Sequence, residues 1–231
     1  MLTGYNEAFI ISTEKREEIL ANCQSEDERE RTAELIRPIL RGRDIKRYGY
    51  NWAGLYLIAT FPSRHYDIEQ YPAVKEYLLS FGIERLEQTG KEHNVNGEKI
   101  KARKRTSNKW FETQDSISYW EDFYKPKLFY ADITQRLNFC ICKDVMFCNN
   151  TTYFIATKSE ETLEYFYKYL NSPIADWYYR TKSVQLGEKA VRMFSIYMLE
   201  IPIPPMIKDI ETYKLLGLTP TEVAFIEDRE Y

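Results

Sequence analysis

Three segments in the second half of the chain constrain its fold most. They are KPKLFYADI, RLNFCIC and MFCNNTTYFIAT, which run between Lys125 and Thr157. Each is rich in β-branched and aromatic residues, a composition typical of strands. A turn near Lys143 and Asp144 predicts a hairpin between the second and third segments. Connections this short join antiparallel strands, so the sequence favours a largely antiparallel sheet here.

Segments with helical spacing flank these strands. YPAVKEYLLSFGIERLE has a proline near its start, and its apolar residues follow the i, i+3, i+4, i+7 pattern of one long helix. SEETLEYFYKYLNSP repeats that spacing until Asn171, Ser172 and Pro173 end it. In TPTE, Thr219 caps a short tail helix and Glu222 closes a capping box. The sequence therefore predicts a mixed α+β fold, with largely antiparallel sheets and several packed helices.

Composition indicates a cytoplasmic protein with its own core. The chain has 231 residues, of which 44% are hydrophobic, enough for one large domain or two small ones. No apolar run approaches the roughly 20 residues that a bilayer span needs, and the first residues lack a secretory signal. The net charge is only −3 although 29% of residues are charged. A face that binds a polyanion must therefore be local.

The four cysteines favour packing over a metal site. Cys140 and Cys142 are one residue apart in a strand-like run, so they share one face of a strand. Structural zinc sites usually take their ligands from C-x2-4-C pairs, and only two histidines are present to complete a shell. Free cysteine is commonly a buried, small apolar residue.

Catalytic signatures are missing from the sequence. It has no Asn-Pro of an adenine methyltransferase, no Gly-x-Gly, no P-loop and no HExxH. Asp44-Ile45-Lys46 matches half of a PD-(D/E)xK nuclease motif, in which acids and a lysine surround a divalent ion. Asp44 lies between arginines, however, where an ion pair that shapes a turn is the simpler explanation. A metal-dependent nuclease stays the minor alternative to a binding function.

Eight motifs, taken in order, resemble a known family. They are GYNEAFIIS, IRPILRGRDIKRY, YPAVKEYL, KWFE, KPKLFYADI, NNTTYFI, YLNSP and EIPIPP, and they span Gly4 to Pro205. Their order is similar to that in the TaqI-like C-terminal specificity domain of type IIG restriction-modification enzymes and adenine-specific DNA methyltransferases. The likeness implies a DNA methylase specificity domain-like fold over residues 1–205, followed by a helical tail over residues 206–231.

The resemblance also implies a function. In that family the domain recognises a short sequence of double-stranded DNA and positions it for a methyltransferase domain, which acts in bacterial defence. Motifs for methyltransferase and nuclease parts are absent here, so the chain is expected to be non-catalytic. Met1 is expected to begin a fragment of a longer protein or a truncated reading frame. S-adenosylmethionine and Mg²⁺ are expected only for the missing catalytic parts, which would act in cis or in trans. No membrane is expected as a partner, and the sequence does not indicate an oligomeric state.

Three polar segments are candidates for DNA contact. The first provides Arg41, Arg43, Lys46 and Arg47, which either contact phosphates or guanine edges or only shape a turn. The second, an exposed loop before Trp110, provides Lys101, Arg103, Lys104, Arg105, Asn108 and Lys109. The third provides Arg180, Lys182, Gln185, Lys189 and Arg192, and its glutamine could pair with adenine. For the second and third segments, a merely solvated surface is the alternative. A protein-docking module that uses exposed aromatic residues and IPIPP is the alternative for the whole chain.

Overall fold

A computed structural model of the protein, which describes residues 1–205 and 212–228, confirms the mixed α+β fold. Its described helices are α1 Asn6–Phe9, α2 Thr13–Ala21, α3 Glu26–Leu35, α4 Pro72–Leu79, α5 Ile83–Leu86, α6 Glu160–Leu170, α7 Pro173–Lys182, α8 Ser195–Met198, α9 Thr212–Leu215 and α10 Pro220–Glu227. Its described strands are β1 Ile10–Ser12, β2 Ile36–Leu40, β3 Ile45–Lys46, β4 Gly49–Tyr50, β5 Leu55–Ile58, β6 Glu92–Val95, β7 Glu98–Lys101, β8 Lys127–Ala131, β9 Ile133–Thr134, β10 Phe139–Cys142, β11 Phe147–Cys148, β12 Thr152–Ala156, β13 Gln185–Leu186 and β14 Ala190–Arg192.

The chain divides into two compact units. Unit 1 comprises Met1–Leu40, Trp52–Tyr124 and Val145–Asn149, and unit 2 comprises Arg41–Asn51, Lys125–Asp144 and Asn150–Tyr231. The boundary predicted between residues 205 and 206 falls at the edge of residues 206–211, which lie outside the described part of the chain. Neither unit is a continuous stretch of sequence.

Unit 1 is built on a four-stranded sheet with the strand order β1-β5-β2-β11. β5 pairs antiparallel with both β1 and β2, and β11 pairs parallel with β2, with Phe147 opposite Ile39. The Phe147 ring is stacked on Phe123, with their centres 4.1 Å apart, and both side chains are fully buried. β11 therefore carries an aromatic side chain into the core of unit 1.

Unit 2 contains two three-stranded antiparallel sheets, with the strand orders β10-β8-β12 and β13-β14-β9. The predicted hairpin between RLNFCIC and MFCNNTTYFIAT is wrong, because β10 and β12 lie on opposite sides of β8 and do not pair with each other. Between them, β11 belongs to unit 1. Helices α6, α7 and α10 pack on this unit's core, to which they contribute Leu163, Tyr179 and Ile226.

Helix ends follow the predicted chemistry in two places and depart from it in one. α6 ends at Leu170, directly before the predicted stop at Asn171, and Thr219 with Glu222 forms the predicted capping box of α10. The long helix predicted from Tyr71 onwards instead ends at Leu79, and a separate turn, α5, begins after Gly82. Gly82 has a φ of +83°, a left-handed conformation that only glycine adopts without strain, so the helix cannot continue through it.

Cys140 and Cys142 are buried on one face of β10, as the alternation predicts. Burial raises the pKa of the Cys140 thiol to about 12, which makes it unreactive at neutral pH. Among the described residues, no group of three or more histidine, cysteine or acidic side chains is placed to hold a metal ion. Within the same residues, no helix has both the length and the apolar character to cross a membrane.

Candidate nucleic-acid interface

The turn after β2 is held by an ion pair between Arg41 and Asp44. Arg41 donates from Nε and Nη2 to the two Asp44 oxygens at 3.0 and 2.8 Å, and its backbone N–H donates at 2.9 Å. Asp44 is only 4% exposed. Burial by itself raises the pKa of Asp44, but the hydrogen bonds and charge of Arg41 outweigh it and lower the pKa. Of the two readings for Arg41, this geometry supports the turn-shaping one.

The other cations of this turn point outwards. Arg43, Lys46 and Arg47 are exposed. The Lys46 ammonium donates to the Arg43 carbonyl at 2.9 Å, and the Arg47 guanidinium lies over the Tyr48 ring at 5.0 Å. These three side chains remain candidates for phosphate contact.

We predict that Asp44→Asn lowers the free energy of unfolding at neutral pH by about 1–3 kcal/mol, since Arg41 loses its charged acceptor. Because the folded pKa of Asp44 is depressed, its contribution is complete above the unfolded pKa of about 3.9 and is lost as pH falls through the folded value. Urea denaturation of both proteins across pH should therefore show the difference closing at acid pH. A difference that is constant with pH would contradict the ion-pair account.

The predicted basic loop is in part a β-hairpin. β6 and β7 pair antiparallel, and Asn96 and Gly97 join them with φ values of 52° and 87°. Positive φ at both residues is the geometry that Asn-Gly turns favour in two-residue hairpins. We call the exposed cations of this hairpin and of the segment after it the basic hairpin surface; they are Lys99, Lys101, Lys104, Arg105 and Lys109.

Arg103 belongs to the interior, which corrects its prediction as a DNA contact. Its side chain donates to the carbonyls of Leu86, Thr3, Glu112 and Trp110 at 2.6–2.8 Å, and it is only 4% exposed. Burial lowers the pKa of Arg103 to about 10, against the opposing charge of Glu112. Its guanidinium thus ties the base of the hairpin to the rest of unit 1 and is not available to phosphate.

Two amide side chains fix the segment after the hairpin. Buried Gln88 donates to the carbonyls of Lys109 and Glu112 and accepts a hydrogen bond from Thr106. Asn108 donates its amide to the carbonyls of Thr113 and Gln114 at 3.2 and 3.0 Å. Asn108 is thereby corrected from a phosphate contact to a structural residue. Sequence reasoning missed Gln88, because nothing around it distinguishes it from a surface glutamine.

The third polar segment forms a second hairpin, β13–β14, in unit 2. Arg180 is buried beneath it and donates to Asp176 at 3.1 Å, to the Lys189 carbonyl at 3.1 Å and to the Gln135 carbonyl. This corrects the prediction of Arg180 as a DNA contact.

The remaining candidates of the third segment stay near the surface. Lys182, Gln185 and Lys189 are exposed, and Arg192 is half-exposed with an ion pair to Asp132 at 3.1 Å. Each hairpin thus has exposed polar side chains above a buried arginine that donates to backbone carbonyls. The structure places both the turn of Arg41 and the second hairpin in unit 2, and the basic hairpin surface in unit 1.

Comparison with protein families accounts for most of the chain. No curated protein matches the sequence. The family model of the TaqI-like C-terminal specificity domain matches residues 37–203, which include the turn of Arg41 and both hairpins. The chain therefore belongs to the family of TaqI-like C-terminal specificity domains.

Proposed function

We propose that this chain recognises a specific sequence of double-stranded DNA for a type IIG restriction-modification enzyme or an adenine-specific methyltransferase in the cytoplasm. It has no catalytic role of its own and positions the duplex for a catalytic domain in cis or in trans. S-adenosylmethionine and Mg²⁺ serve that catalytic part. Membership in a family of specificity domains supports this proposal.

The observation that carries the proposal is the basic hairpin surface on its anchored base. Its exposed lysines and arginine are held on a scaffold that Arg103 and Gln88 fix from within. A scaffold that is already ordered loses little conformational entropy when it binds, so little of the binding free energy is lost when its cations contact phosphates. Glu92 lies directly across from Lys101 and balances that lysine. Of the other four cations, Lys104 and Arg105 are adjacent in sequence, and we take this pair as the test of phosphate contact.

Sequence reading is assigned to the second hairpin. Exposed Gln185 lies on β13, and a glutamine amide can bond bidentately to adenine N6 and N7. Lys182 and Lys189 flank it and would contact the backbone, as would Arg43, Lys46 and Arg47 in the same unit. Phosphate contacts set the register of the duplex, and the glutamine then selects a base.

Binding-site selection from a pool of randomised duplexes tests the specificity. We expect one short motif to be enriched, and Gln185→Ala to relax the preference at one position by about 1–3 kcal/mol while leaving total binding nearly unchanged. Lys158→Ala, at an exposed position outside both hairpins, serves as the control. Salt-sensitive binding without any enriched motif would contradict sequence recognition while leaving DNA binding intact.

Exposed apolar side chains favour a second candidate function, the docking of a methyltransferase or nuclease subunit. Four of them, Phe194, Ile196, Leu199 and Ile203, lie within ten residues of each other, and the largest exposed fractions are 87% for Leu199 and 63% for Ile196. Apolar surface of this kind is typical of protein interfaces. Leu199→Asp with Ile196→Asp would weaken subunit docking and leave duplex binding unchanged, whereas reversal of the basic hairpin surface would do the opposite.

A further inference from the structure

Two arginines of unit 1 lie on aromatic rings without a carboxylate partner. The guanidinium carbon of Arg37 is 5.6 Å from the centre of the Tyr124 ring, and that of Arg64 is 4.9 Å from the centre of the Trp120 ring. Neither arginine forms an ion pair with any residue in the described ranges. Stacking fixes both cations in place while leaving their charge unbalanced.

The two stacked pairs are neighbours. Trp120 and Tyr124 lie on one 3-10 helix with their ring centres 5.9 Å apart. The Tyr66 side chain lies within reach of both cations: burial raises the pKa of its hydroxyl, whereas the nearby Arg64 and Arg37 lower it. Arg37 and Arg64 therefore lie on neighbouring rings, with Tyr66 close to both cations.

One hydrogen-bond donor of Arg37 has no acceptor among the described residues. This donor is the Nε–H group, which is buried. Glu121 lies on the same 3-10 helix as the two rings, and it forms none of the ion pairs found among the described residues. An unpaired buried donor is costly, and an oxyanion bound at the guanidinium would remove that cost.

Arg16 shows the contrasting arrangement within the same unit. Its guanidinium also lies on an aromatic ring, 4.9 Å from the centre of Tyr56, and its Nε is likewise buried without an acceptor among the described residues, but it forms an ion pair with Glu17 at 2.6 Å. Arg16 thus has a counter-charge, whereas Arg37 and Arg64 have none among the residues that the structure describes.

We propose that Arg37, Arg64 and Tyr66 bind a phosphate oxyanion, which the backbone of the recognised duplex supplies. Guanidinium groups match phosphate geometry with paired N–H donors, and the tyrosine hydroxyl adds another. The choice of duplex as the source rests on the DNA-binding function proposed above. The oxyanion site itself rests only on the arrangement of these side chains.

Two measurements on the whole chain test this site. The first is a titration with inorganic phosphate at constant ionic strength, with chloride as the balancing salt, followed by the arginine Nε–H resonances in ¹⁵N NMR. The second is duplex binding as a function of salt for the wild type, for Arg37→Gln/Arg64→Gln and for the control Arg16→Gln. Urea denaturation of each variant establishes that it remains folded.

We expect phosphate to shift the resonances of Arg37 and Arg64 and not that of Arg16. The double variant should reduce the slope of log K against log salt by about 0.9, the contribution of one phosphate, whereas Arg16→Gln should not. Phosphate shifts with an unchanged slope would overturn the duplex as the source and retain a site for free phosphate. Unshifted resonances together with an unchanged slope would overturn the site. A wild type that binds no duplex would instead contradict the proposed function, and the phosphate titration would still decide the site.

Discussion

Reversing the charge of Lys104 and Arg105 together is expected to weaken duplex binding by at least about 200-fold at roughly 0.05 M salt. Each lost phosphate contact removes about 0.9 from the slope of log K against log salt, so two contacts contribute about 2.3 to log K at that concentration. Both side chains are exposed on the basic hairpin surface, while the groups that hold the segment lie elsewhere. Fluorescence anisotropy on a random-sequence duplex measures this effect.

A matched control separates local contact from net charge. Lys158→Glu/Lys168→Glu changes two exposed lysines of unit 2 and gives the same net charge as the test variant, which is −3 − 4 = −7. We expect the control to bind within a few-fold of the wild type, because long-range charge is screened beyond about 10 Å at 0.1 M salt. Equal losses in both double variants would contradict the assignment of the interface to the basic hairpin surface.

Replacing Arg103 with methionine is expected to lower the free energy of unfolding by at least about 3 kcal/mol, because four backbone carbonyls would lose their donor. Domains of this kind are stable by only about 5–15 kcal/mol, so the loss is a large share of the total. Urea denaturation followed by circular dichroism measures it. Methionine keeps an apolar stem and removes the donors and the charge, including the guanidinium that lies over the Phe9 ring at 4.9 Å.

The neighbouring residue provides the control for Arg103. Lys104→Met changes the same kind of charge at an exposed position and should alter the free energy of unfolding by no more than about 0.5 kcal/mol. The two adjacent cations are thus expected to have different roles: loss of Arg103 lowers the free energy of unfolding, and loss of Lys104 lowers the affinity for duplex DNA. An Arg103→Met protein as stable as the wild type, with impaired duplex binding, would restore Arg103 as a DNA contact.

Local sequence signals predict much of the fold. The capping box of α10, the end of α6 at Asn171 and the buried cysteine face of β10 are all set by neighbouring residues. The position of β11 is different: it lies in sequence between two strands of unit 2, yet it belongs to unit 1 and pairs with β2, more than a hundred residues earlier in the chain. Only tertiary packing decides such a contact, so periodicity along the sequence cannot reveal it.

The candidate site is predictable in its outline and not in its details. Composition correctly marks the segment of Lys104 and Arg105 as exposed and basic. It cannot distinguish Arg103 from them, because an arginine whose donors meet backbone carbonyls and one that faces solvent look alike in sequence. The same ambiguity affects Arg180, whose partner carbonyls lie 9 and 45 residues away. In both cases the folded geometry of the hairpin determines which cationic side chain is buried and which is exposed.

Salt dependence of duplex binding tests the central claim most directly. The slope of log K against log salt should be steep for the wild type and should fall by about 1.8 when Lys104 and Arg105 are both changed to glutamine. A wild-type complex whose affinity does not change with salt, or an unchanged slope in the glutamine variant, would contradict the claim that the basic hairpin surface contacts DNA.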